Sequence, residues 1–208
     1  MVLNIEGQPT RLLLIRHGYH DPRGRFLQHA CSGLTEIGIA QARALAVRLV
    51  QDHTLTAPVV LASNARRSID TAEILAGTLG VPLVERTCDL CEMHPGAAEG
   101  LTPEEMEHQY GPTYQSVPGA EHFPDWIPRA GAALGRIAAT YRGRHILAVT
   151  HSGLIKASFV AFGMMPVIQA SHVWSTNTGI TEWSSIQGAG AESKRLWRLD
   201  RHNDAAHL

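Results

Sequence analysis

Short apolar runs alternate along the chain with longer segments in which apolar residues return every three to four positions. Leu12 to Ile15 is followed by Ala42, Leu45, Ala46, Leu49 and Val50; Val59 to Leu61 is followed by Ile69, Ala72, Leu75, Ala76 and Leu79. A continuous apolar run suits a strand buried on both faces, and the 3.6-residue stripe after it suits a helix packed on the sheet, so an α/β fold is expected. Its architecture would be a three-layer sandwich with a mostly parallel central sheet flanked by helices. Thr35 is placed to cap the first helix, Gly80 to stop the second, and Pro82 to open a short strand. A third run, Ile146 to Thr150, leads into His151-Ser152-Gly153, and an Ala-rich amphipathic segment from Trp126 to Arg142 precedes it.

Between about residues 86 and 128 the periodicity weakens and Pro, Gly, Glu and His accumulate, which predicts a long excursion forming a lid or pocket wall. One helix start is clear there. Thr102-Pro103-Glu104-Glu105 combines a cap, a proline in the first turn and a capping-box glutamate, predicting a short helix to about Tyr110. With no internal repeat and 208 residues in all, residues 1–208 are read as a single domain.

Lys and Arg number 18 against 19 Asp and Glu, for a formal charge of −1, and no block of like charge suggests a nucleic-acid or membrane surface. Recognition then falls to local pockets. No signal-peptide pattern or membrane-span run is present, and 3 cysteines do not suit a disulfide framework, so a cytoplasmic protein is expected. Cys88-Asp89-Leu90-Cys91 has the spacing of half a zinc site, but no second pair follows and His94 lies too close. No metal is expected. The remaining histidines, His29, His53, His108, His145, His172 and His202 among them, show no ligand spacing and read as surface or loop residues.

The first and third runs both deliver a histidine to a glycine turn: Arg16-His17-Gly18 and His151-Ser152-Gly153. Parallel strands would bring the two to one sheet edge, where ligands of α/β folds collect. Adjacent basic side chains with a glycine that permits close backbone approach suit an anion such as phosphate. On these residues alone His17 could be nucleophile, base, ligand or bystander. The second strand opens into a helix carrying Arg66 and Arg67, whose guanidinium forks would add anion-binding power, although Arg66 by itself reads as a solvated helix residue.

Taken together, these segments resemble the histidine phosphatase superfamily, the group that includes the cofactor-dependent phosphoglycerate mutases, over nearly the whole chain. Leu14-Ile15-Arg16-His17-Gly18 resembles the opening motif, Gly33 to Ala42 the helix after it, and Ser63-Asn64-Ala65-Arg66-Arg67-Ser68-Ile69-Asp70-Thr71-Ala72 the second arginine segment. Leu90 to Thr102 is similar to the acid loop, Val149 to Gly153 to the second histidine motif, and Asn203-Asp204-Ala205-Ala206-His207-Leu208 to the tail of family members. The resemblance implies a phosphoglycerate mutase-like fold and a phosphomonoester hydrolase that forms a phosphohistidine on His17. It puts the proton donor at Glu92 and surrounds the phosphoryl group with Arg16, Arg67 and His151. No metal or other cofactor is implied, and the substrate would be a small phosphorylated metabolite.

Where the chain departs from the pattern, the substrate is in question rather than the chemistry. Many members have Glu-Thr after the first glycine and then an asparagine; here Tyr19-His20-Asp21-Pro22 follows Gly18, and no asparagine occurs between Gly18 and Asn64. His20, Arg23 or Arg25 could replace those contacts, and Gly18, Tyr19 and Ser152 complete the expected substrate-binding set. Phosphatase is preferred to a mutase because the acid loop has the Glu-x-x-x-Gly-x-x-Glu-Gly form; a mutase, or a non-catalytic phospho-ligand binder on the same fold, is the alternative. A homodimer is among the expected states.

Overall fold

In the computed structural model, which describes residues 8–28, 30–186 and 196–208, the first apolar run is strand β1 (Arg11–Arg16). Its four central residues are fully buried. Because successive strand side chains point to opposite faces, Leu12 and Leu14 enter one core and Leu13 and Ile15 the other. Each such side chain contributes about 1.5–3 kcal/mol relative to exposure.

The chain then runs through α1 (Glu36–Gln51), β2 (Val59–Ala62), α2 (Arg66–Leu79) and β3 (Leu83–Arg86). Thr35 caps α1 by accepting from the Gly38 amide, and Gly80 ends α2 in the left-handed conformation at φ 67°. Strand β4 (His145–Thr150) returns in parallel between β1 and β2, with Leu147 opposite both Leu13 and Val60. The carboxyl ends of β1, β2 and β4 therefore share one edge of the sheet.

The six-stranded sheet has the order β3-β2-β4-β1-β5-β6. Strand β5 (Ile180–Ile186) lies antiparallel to β1, and β6 (Leu196–Asp204) antiparallel to β5. This pair carries no continuous apolar run of the kind that marks β1, β2 and β4. Glu182, in the middle of β5, is buried, with its charge met by Arg11 and Arg201. Helices α1 and α2 cover one face of the sheet over Leu13, Ile15, Leu147 and Val149. Two further helices, α4 (Phe123–Thr140) and α5 (Ser152–Ala161), cover the other over Leu12, Leu14, Ile146 and Trp183. α4 begins three residues before the amphipathic stripe, because Pro124 fits the first turn, where its missing N–H leaves no bond unmade.

The excursion holds helix α3 (Pro103–Tyr110), whose capping box joins Thr102 and Glu105 as its sequence predicts. Ala98, Met106 and Val117 form a small core of its own, against which Phe26 and Tyr114 pack. The Phe26 amide and carbonyl bond to Leu101 and Gly100, and Glu99 accepts from the Gln28 and Ala30 amides. The excursion is thus laced to the loop that leaves β1. α6 (Val167–Ala170) is a single turn after α5. His29, read above as a surface or loop residue, lies outside the described residues.

Candidate active site

His17 directly follows β1, and the backbone there is held from three sides. The His17 amide donates to Thr150 of β4 at 2.9 Å, its carbonyl accepts from Asn177 Nδ2 at 2.8 Å, and the next amide, Gly18, donates to Thr71 Oγ1 at 3.0 Å. Gly18 lies so close to α1 that a Cβ there would stand 2.6 Å from the Gly38 carbonyl oxygen. The side chain is oriented by one bond. His17 Nδ1 lies 2.8 Å from the Gly18 carbonyl, which can only accept, so Nδ1 carries the hydrogen and Nε2 holds the lone pair. Arg67 Nε, which can only donate, points at that Nε2 from 3.1 Å. Burial, and then the Arg67 charge, hold the His17 pKa well below the ordinary histidine value, so the ring is neutral at physiological pH.

His151 follows β4 and stands 5.1 Å from His17, ring centre to ring centre. Arg67 forks between them: its Nη2 donates to His151 Nδ1 at 3.1 Å, which leaves His151 Nε2 to donate to Ser63 Oγ at 2.7 Å. Arg67 is itself buried at the start of α2, where Thr71 Oγ1 donates back to its carbonyl. Arg16 reaches the Ser175 carbonyl through Nη1, and its buried Nε has no partner. Two guanidinium groups and two neutral imidazoles thus converge with one carboxylate nearby. Buried positive charge without a matching anion is costly, and a bound phosphate dianion would satisfy it with bidentate, charge-assisted bonds.

That carboxylate is Glu92. Its Oε2 accepts from the Gly153 amide at 2.8 Å and its Oε1 from the Met93 amide at 3.1 Å. Burial raises the Glu92 pKa above the usual carboxylate value, against the opposing pull of those two amides and of Arg67. The contact depends on glycine, since a Cβ at residue 153 would sit 1.9 Å from Glu92 Oε1. Gly153→Ala is therefore expected to displace the carboxyl group and lower kcat on alkyl phosphates by roughly 10- to 100-fold, the range typical of one mispositioned acid group, with kcat on aryl phosphates nearly unchanged. Parallel assays on the two ester types check this; equal losses would mean that the damage is not to Glu92.

The other expected binding residues divide into two groups. His20 stands edge-on to His17 at 5.3 Å; its Nδ1 is buried without a partner, and its pKa is lowered to about 4 by burial and then by the charges of Arg67 and Arg16. Ser152 lies at the start of α5, accepting from Ser175 Oγ at 3.1 Å. Arg25 instead turns to Glu105 at 2.8 Å and to the Gly100 carbonyl at 2.7 Å, and the Arg23 side chain is 85 % exposed. Tyr19 is 40 % exposed, with its amide on Gln41. The geometry brings His20 to the centre and leaves Arg23 and Arg25 out of it. Arg66 is exposed and paired with Asp70.

Ser63, Ser175, Asn177 and the C-terminal tail join the site only through the fold. The Asn203 side chain accepts from the Thr176 amide at 2.6 Å and donates to Thr176 Oγ1, and His207 Nε2 meets Thr178 Oγ1 at 2.9 Å. The tail thereby braces the loop that carries Ser175 and Asn177 to Arg16 and His17; apart from the resemblance of Asn203 to Leu208, nothing in the sequence marks that loop. Among the described residues no group of three or more His, Cys, Asp or Glu is placed to hold a metal ion. Burial and then Cys88 push the Cys91 thiol up to about 12.

The family model of the histidine phosphatase superfamily (branch 1) matches residues 12–200. The chain belongs to that superfamily. It is 29 % identical to a metal-independent phosphoserine phosphatase of Arabidopsis thaliana, over 99 % of this chain and 86 % of the relative. A bifunctional protein of Mycobacterium tuberculosis is 35 % identical over 72 % of the chain, which spans only 43 % of that protein's length. Among solved structures, Bacillus stearothermophilus YhfR superposes with a TM-score of 0.79 at 27 % identity, covering 95 % of this chain and 98 % of its own. As a histidine phosphatase, this chain is a phosphomonoester hydrolase.

Proposed function

We propose that His17 Nε2 is the nucleophile, Glu92 the general acid and then base, and Arg16, Arg67 and His151 the cradle of the transferring phosphoryl group. The observation that carries this reading is the Nδ1 contact to the Gly18 carbonyl, which leaves a neutral, lone-pair-bearing Nε2 facing Arg67. Attack on phosphorus forms a phosphohistidine while the protonated Glu92 gives its proton to the departing alkoxide. The resulting carboxylate then removes a proton from water, which hydrolyses the phosphohistidine and returns phosphate. The arginines stabilise charge on the equatorial oxygens throughout. The substrate is a small phosphorylated metabolite, and phosphate release rather than transfer to a second phosphoglycerate is the expected outcome.

A raised Glu92 pKa and a strongly lowered His17 pKa together favour an acidic optimum. The acid form of Glu92 is present below its pKa and lost above it, while the His17 lone pair persists far below pH 6.5. On alkyl phosphates, kcat/KM should fall as pH rises through the Glu92 pKa; a rate that climbs between pH 6 and 8 would contradict the assignment. Glu92→Gln should slow alkyl phosphates far more than p-nitrophenyl phosphate, whose leaving group needs no proton. Equal losses would remove Glu92 from the acid role.

No helix among the described residues is long and apolar enough to cross a membrane. The three free cysteines suit a reducing compartment, and the cytoplasm is the proposed location.

A further inference from the structure

Glu92 lines a cavity of about 390 Å³ whose other walls are Phe26, Leu27, Gln28, Met93, Pro95 and Tyr114, with the neutral Gln28 amide the one uncharged hydrogen-bonding group besides the Tyr114 phenol. If Glu92 protonates the leaving oxygen, the alcohol must lie on this side of the site, beyond the cluster of His17, Arg67 and His151. The walls are already in place: the ring centres of Phe26 and Tyr114 are 5.6 Å apart, and the Phe26 loop is tied by backbone bonds to residues 100 and 101. No lysine or arginine lines the cavity. The arginines of the surrounding excursion are committed elsewhere, Arg25 to Glu105 and Arg129 to both oxygens of Glu121.

From this arrangement, and resting on the assignment of Glu92 as the acid, we propose that the enzyme takes phosphomonoesters of uncharged, apolar alcohols and discriminates against esters whose alcohol carries a carboxylate. Two physical terms act in the same direction. Apolar surface on the alcohol is removed from water against Phe26, Leu27, Met93 and Pro95. A carboxylate in the same place would lose hydration and find no cation among the lining side chains, only the neutral Gln28 amide and the Tyr114 phenol. The preference would set this chain apart from the plant relative named for phosphoserine.

The test compares n-hexyl phosphate with phosphoserine, both primary alkyl esters, using p-nitrophenyl phosphate as the control for catalysis. The ammonium group makes phosphoserine's alkoxide the better leaving group, so a preference for the hexyl ester cannot come from leaving-group reactivity. Phosphate release is expected with at least tenfold higher kcat/KM on n-hexyl phosphate. Equal or better turnover of phosphoserine would overturn the inference while leaving the hydrolase reading intact; no release from any of the three would overturn the hydrolase reading itself. Leu27→Lys, with folding checked by circular dichroism, places an ammonium group in the lining and should raise phosphoserine turnover relative to n-hexyl phosphate at least fivefold. An unchanged ratio in the folded variant would show that this cavity does not hold the alcohol.

Discussion

His17→Ala is expected to abolish phosphate release and to leave no acid-labile phosphoenzyme, a loss on the order of 10⁴-fold or more, as for removal of a covalent nucleophile. The surroundings offer no ready substitute. His151 turns its lone-pair nitrogen Nδ1 to Arg67 Nη2 and donates from Nε2 to Ser63, and its ring centre stands 5.1 Å from that of His17, so its lone pair does not take the place of His17 Nε2. His20 does have an unpartnered Nδ1, and its ring stands 5.3 Å from that of His17. The double variant His17→Ala/His20→Ala therefore belongs in the same experiment: any residual turnover of the single variant that disappears in the double would trace to His20. Rapid quench into alkaline denaturant, in which the P–N bond survives, followed by phosphorus NMR of the denatured protein reads the intermediate directly. A phosphoenzyme that survives in the double variant would refute the assignment of the nucleophile.

Arg67→Ala is the second large effect, expected to cost several kcal/mol of transition-state stabilisation, on the order of 10²- to 10³-fold or more in kcat/KM. Arg67 spans both histidines through separate nitrogens and is buried. Removing it deletes the proposed bidentate phosphate donor and also frees both imidazoles to reorient. Lysine should recover only a small part of the loss, because a single ammonium cannot make two parallel bonds. The adjacent Arg66, exposed and paired with Asp70, supplies the internal comparison: Arg66→Ala should change kcat/KM only a few-fold. Unaltered kinetics in Arg67→Ala would mean that the phosphate is held elsewhere. Binding of orthovanadate, which mimics the pentacoordinate phosphorus, should weaken in step with kcat/KM.

The sequence alone determined the strands of continuous apolar residues, the helices of regular stripe and the caps at Thr35, Gly80 and Thr102, because burial on both faces, helical period and local hydrogen bonding are each written within a few adjacent residues. It also determined that two strands end in histidine before glycine, and parallel topology then required them to meet. Strands β5 and β6 escaped that reading. Their alternation is broken by charged residues such as Glu182, which is tolerable in the core only because Arg11 and Arg201, distant in sequence, neutralise it. Only the tertiary structure decided which nitrogen of His17 carries the lone pair, that His20 rather than Arg23 or Arg25 faces it, and that Asn177, Ser175 and the C-terminal tail hold the pair in place. Those outcomes depend on contacts between residues far apart in the chain, where spacing carries no information and only the packed sheet edge brings donor to acceptor.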